Sequence, residues 1–79
     1  MQLNVKFFAS LAEQTGLSDI TVEAQNLTTV ADVWDHVTDH LNRPDNTLCA
    51  INMVHAHFDD HIDDGDEIAF FPPVTGGCS

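Results

Sequence analysis

The chain reads as an α+β roll, a mixed sheet with one main amphipathic helix laid across it. Three observations predict this. Short apolar runs rich in β-branched and aromatic residues open and close the chain. One central stretch repeats its apolar residues at helical spacing. And 79 residues, 43% of them hydrophobic, suffice for one packed core and leave nothing for a second.

The elements follow in order. Leu3, Val5 and Phe7 alternate with polar residues while Phe8 faces the other way, which predicts a first strand. Ala9 to Gln14 are mostly helix formers that stop at Gly16, so a short helix or turn returns the chain to a second strand at Ile20-Thr21-Val22-Glu23. Thr28 or Thr29 is placed to cap the main helix, where Val30, Val33, Trp34, Val37 and Leu41 form one face. Asn42 to Thr47 contain Arg43-Pro44-Asp45-Asn46 and read as a loop. Leu48 to Val54 read as one strand, with His55 to Phe58 continuing as a bent or edge segment. Asp63-Asp64-Gly65-Asp66 is a turn, and Glu67 to Phe71 the last strand. Pro72-Pro73 cannot donate to a ladder, so residues 1–73 form the domain and residues 74–79, Val74-Thr75-Gly76-Gly77-Cys78-Ser79, leave it as a tail.

Charge narrows the function. With 2 basic and 13 acidic residues the net charge is −11, and Lys6 and Arg43 are the only permanent cations. Nucleic acid and anionic membranes are therefore poor partners, because each phosphate neutralised needs a cation. A basic protein surface is the favoured partner, although a salt-adapted cytoplasm selects the same acidic surface. Cys49 and Cys78 do not suggest a disulfide framework, and no apolar run approaches bilayer length. The reading is a soluble cytoplasmic protein.

Chemistry-bearing clusters are few. His36 and His40 are four apart beside Asp32, Asp35 and Asp39, and His55-x-His57 would share a face of a strand. No Cys/His cluster with a recognised zinc-finger spacing exists, and solvated histidines on a polar face are the ordinary outcome, so no metal is assigned. The Asp59 to Asp66 stretch lacks the calcium-loop pattern and its distal Glu. Trp34 and the valines read as core, and Ser10, Ser18 and Ser79 lie in no nucleophile elbow.

The end of the chain is the informative part. Two prolines followed by two glycines on composition alone read as a frayed terminus; the alternative is a stalk without β-carbons that threads a carboxylate into a narrow site. Asp64-Gly65-Asp66-Glu67-Ile68-Ala69-Phe70-Phe71-Pro72-Pro73-Val74-Thr75-Gly76-Gly77 resembles the C-terminal signature of the MoaD family, the small sulfur-carrier subunits of molybdopterin synthase. Val5-Lys6-Phe7-Phe8-Ala9, the central helix and the strand ending Ile51-Asn52 fall in the same order, so the resemblance covers nearly the whole chain.

The resemblance implies a ubiquitin-like β-grasp fold and a cosubstrate more than an enzyme. An ATP-dependent activating enzyme would adenylate the carboxylate of Gly77, and a desulfurase or rhodanese-like donor would replace AMP with sulfur. The thiocarboxylate would then serve dithiolene formation in the large synthase subunit. No bound cofactor is implied. Gly76 is then the slim neighbour of Gly77, and Phe71, Pro72, Pro73, Val74 and Thr75 enter the partner groove. His55 falls where the family has an apolar partner-facing residue. A thiamine-type carrier and a ubiquitin-like interaction module without sulfur transfer are the alternatives.

One feature departs from that pattern: Cys78-Ser79 follow Gly77, which therefore has no free carboxylate in this sequence. The dipeptide reads as an extension removed by a peptidase or as a remnant of cloning. A reactive Cys78 thiol is the third reading, with no basic neighbour in sequence to activate it.

Overall fold

The computed structural model of the chain describes residues 1–73. The elements are β1 (Gln2–Phe7), α1 (Ala9–Thr15), β2 (Asp19–Glu23), α2 (Val30–Thr38), β3 (Leu48–Ile51), β4 (Val54–Ala56) and β5 (Glu67–Phe71). They form one mixed sheet of order β2-β1-β5-β3-β4. β1 pairs antiparallel with β2 and parallel with β5, and β3 pairs antiparallel with both β5 and β4. The expected α+β roll is present, with α2 as the cross-connection between the two strand pairs.

Period-two alternation decides which face is covered. Leu3, Val5 and Phe7 of β1, Val22 of β2, Cys49 of β3, and Ile68 and Phe70 of β5 are buried together with Val30, Val33 and Trp34 of α2. The aromatic centre of this core is tight. Trp34 stands edge-on to Phe70 with ring centroids 5.1 Å apart, and Phe7 lies 5.2 Å from Phe70. Ile62, in the long connection between β4 and β5, completes the core at 5% exposure, tied by its N–H to the Thr28 carbonyl.

α2 begins with a reciprocal cap. Thr29 Oγ1 accepts the Asp32 N–H, and Asp32 Oδ2 accepts the N–H groups of Thr28 and Thr29 at 2.9 and 3.1 Å. Its end is earlier than the apolar spacing predicts: Asp39 and His40 are left-handed, with φ of 58° and 63°, so the helix stops at Thr38 and Leu41 is exposed. α1 stops as expected, on left-handed Gly16.

The expected single strand from Leu48 to Val54 is a hairpin instead. Asn52 and Met53 are both left-handed, with φ of 51° and 69°, making the two-residue turn that matches strand twist. The cause is visible in β5 and the turn before it. Asn52 gives its N–H to the Glu67 carbonyl, accepts the Glu67 N–H on Oδ1 and donates through Nδ2 to Asp66. Three bonds to a neighbouring segment hold the asparagine where the chain reverses.

Candidate functional site

The side of the sheet away from α2 is open, and the alternation that builds the core also builds this face. On β5 it presents Glu67, Ala69 and Phe71; on β3, Leu48 and Ala50; on β4, His55; on β1, Asn4 and Lys6. Register ties Phe71 directly across from Leu48, Ala69 across from Ala50, and Ala50 across from His55. The imidazole of His55 stacks on the Phe71 ring, centroids 5.8 Å apart and planes inclined by 26°. Phe8, extended and about half exposed, follows β1 on this side.

The predicted partner-binding residues therefore meet in part. His55 and Phe71 touch, and Phe71 leads straight to Pro72 and Pro73 at the end of β5. Val74, Thr75, Gly76 and Gly77 lie outside the described residues. Leu48, Ala69 and Phe8 join the same surface without having been singled out from the sequence. Their signal was the strand alternation opposite the core positions.

Both permanent cations are engaged. Lys6 lies 3.7 Å from Glu67 on the open face, and the Arg43 guanidinium sits 3.7 Å over the Phe58 ring. What remains of the surface charge is acidic. Neither histidine pair builds a group of three or more ligands that could hold a metal ion among the described residues. His40 is beyond the end of α2, and His57 is beyond β4 with its N–H bonded to Asp60 at 2.9 Å. Ser10 lies within α1 and Ser18 just before β2.

Cys49, the thiol among the described residues, is 1% exposed and gives its Sγ–H to the Ala56 carbonyl. Burial pushes it up to about 11, with the Asp60 charge adding to the rise and Arg43 opposing it. It is a core residue. A hollow of about 740 Å³ lined by Trp34, Arg43 and Phe58 lies at the far end of α2 and includes none of the predicted site residues. No helix among the described residues is long and apolar enough to cross a membrane.

A helix held against a mixed sheet with a parallel central pair, its last strand leading into prolines and Gly-Gly, defines the class of small ubiquitin-like β-grasp carriers. The chain belongs to the ThiS family, matched over residues 5–77. Within it, the chain is similar to the molybdopterin synthase sulfur carrier subunit of Escherichia coli (strain K12), at 38% identity over 95% of this chain and 99% of that one, which makes it a MoaD-type member. SAMP1 from Haloferax volcanii has the same fold with a TM-score of 0.78 at 28% identity, covering 98% of this chain and all of that one. A TM-score of 0.62 at 19% identity relates it in fold to a chain of the complex of subunits 1 and 2 of the molybdopterin-converting factor from Helicobacter pylori 26695, covering 98% of this chain and 100% of that one.

Proposed function

We propose that this chain carries sulfur as a thiocarboxylate on Gly77 and delivers it to the large subunit of molybdopterin synthase for dithiolene formation. The observation that carries the reading is the exit of β5. Phe71 sits on the open apolar face, Pro72-Pro73 end the sheet, and Gly76-Gly77 follow within the span that matches the family. The chemistry explains why a carrier is needed. A carboxylate is a poor electrophile until its oxygen becomes a good leaving group; adenylation makes that group AMP, the persulfide of a donor protein displaces it to form an acyl disulfide, and a second thiol reduces the S–S bond to leave the thiocarboxylate. The thiocarboxylate is then a nucleophile at neutral pH, presented on a stalk slim enough to enter a narrow site. The open face and Phe71 to Gly76 dock the partner. The setting is the cytoplasm, where ATP is at hand and thiols stay reduced.

The test is intact mass. A chain ending at Gly77, incubated with ATP, activating enzyme and sulfur donor, gains roughly 16 Da as one oxygen becomes sulfur, after a transient acyl-adenylate. A ubiquitin-like interaction module without sulfur transfer shows neither species. The thiamine-type carrier, favoured by the name of the matched family, shows both and is separated by complementation. Rescue of thiamine auxotrophy without rescue of molybdoenzyme activity would replace the molybdopterin assignment.

A further inference from the structure

The open face is divided by charge. Asp19 and Glu23 on β2, Lys6 on β1 and Glu67 at the start of β5 form its charged part, while Ala69, Phe71, Leu48, Ala50 and His55 occupy the side toward β4. The pairings Lys6 to Ala69, Ala69 to Ala50 and Ala50 to His55 put Lys6 and His55 at opposite ends of one row, three strand spacings or roughly 14 Å apart.

Among the described residues, His55 forms no ion pair with a carboxylate. Asp19 is one strand beyond Lys6, and Glu67 is two residues along β5 and paired with Lys6. Asp66 is held by Asn52 at the hairpin turn, and Asp60 engages His57. β3 offers only Leu48 and Ala50 here. His55 is thus the one titratable side chain among the five residues of the apolar half.

We propose that the His55 imidazole, stacked on Phe71, gates docking on this half of the face: neutral, it lets an apolar partner surface close over Phe71, Leu48 and Ala50, and protonated, it loosens that contact. An imidazolium buried there loses its water and gains no ion-paired carboxylate from the described residues. The occupant is the large subunit of molybdopterin synthase, so the inference rests on the function proposed above. A second copy of this chain is opposed by the net charge of −11 on each.

The experiment is calorimetric titration of the large subunit from the same organism at about pH 8 and about pH 5.5, at constant ionic strength, with wild type, His55→Phe, His55→Gln and His57→Phe. Wild type is expected to weaken about tenfold or more at the lower pH. His55→Phe keeps an aromatic ring beside Phe71 and, whatever its affinity at the higher pH, loses most of the response. His55→Gln loses the response and binds more weakly at both pH values, and His57→Phe behaves as wild type. Titration of the partner is common to all four proteins and cancels between them. A His55→Phe variant that keeps the wild-type response, or a wild type whose affinity does not change, overturns the gate while leaving the proposed function standing. Absence of binding at both pH values removes the proposed function and the gate with it.

Discussion

The indole Nε1–H of Trp34 donates to the carbonyl of Leu41 at 2.7 Å, and this bond explains where α2 ends. A helix continued through Leu41 would point that carbonyl along the axis. With Asp39 and His40 left-handed, the chain instead curls back over the tryptophan, and Thr38 Oγ1 bonds the Trp34 carbonyl at 2.6 Å. Trp34 thus joins the aromatic core to the loop that leaves the helix.

Trp34→Phe is therefore expected to cost about 1–3 kcal/mol, combining a lost hydrogen bond with a small cavity beside Phe70. The urea midpoint measures it. The double variant Trp34→Phe with Leu41→Ala should cost little more than the single change, because Leu41 contributes its carbonyl and not its exposed side chain.

These details mark where sequence reasoning stops. The core strands and α2 were legible because Leu3, Val5 and Phe7 and the Val30 to Val37 face each repeat one period. The β3–β4 turn was not, because Asn52-Met53 lacks the usual glycine and its reversal is imposed by bonds to Asp66 and Glu67 some 15 positions away. Ile62 was missed for the opposite reason: an isolated apolar residue in an acidic loop has no period, and only tertiary packing buries it. Of the site, His55 and Phe71 were legible through resemblance. Leu48 and Ala69 needed the register that sets them opposite and beside those two.

The capping box gives a pH prediction. Backbone N–H groups of Thr28 and Thr29 bonded to Asp32 hold its carboxyl below the usual 3.8. A carboxyl depressed in the folded state contributes stability that is present above the unfolded value and is lost as pH falls through the folded one. Asp32→Asn should thus lower stability at neutral pH by about 0.5 kcal/mol. The gap between variant and wild type should close as the pH drops below about 4, read from denaturant midpoints across an acid series.

Cys49 should be inert while the protein is folded. In a Cys78→Ser variant, a water-soluble disulfide reagent should find no fast thiol at mildly alkaline pH, since burial keeps Cys49 protonated up to about 11. Labelling should follow the rate of unfolding and become rapid in denaturant. Fast labelling without denaturant would mean that β3 opens at its pairing with β4.

Phe71→Ala should weaken docking to the synthase large subunit by about 1 kcal/mol or more, because a large aromatic at the centre of an apolar patch anchors an interface. Its effect should appear in the dissociation rate. The association rate should instead fall with added salt, equally for variant and wild type, since it is set by the −11 net charge that the variant leaves unchanged.

The last prediction concerns Gly77. Adenylation requires a carboxylate oxygen that attacks the nucleotide and becomes part of the leaving group, whereas the Gly77 carbonyl of this sequence is joined to the nitrogen of Cys78 as an amide. An amide has no such oxygen, and its nitrogen is a poor leaving group for incoming sulfur. The chain bearing Cys78-Ser79 should thus be inert in the sulfur-transfer assay, and the same chain truncated after Gly77 should be active. Replacing Cys78 by Ser in the longer chain should change nothing, because the block lies in the amide and not in the thiol. A peptidase that cleaves after Gly77 should restore activity to the inert chain, with loss of the dipeptide visible by mass. Should the uncleaved chain, verified by mass, still support dithiolene formation, Gly77 is not the residue that bears the sulfur, and the Cys78→Ser variant then decides whether the thiol is.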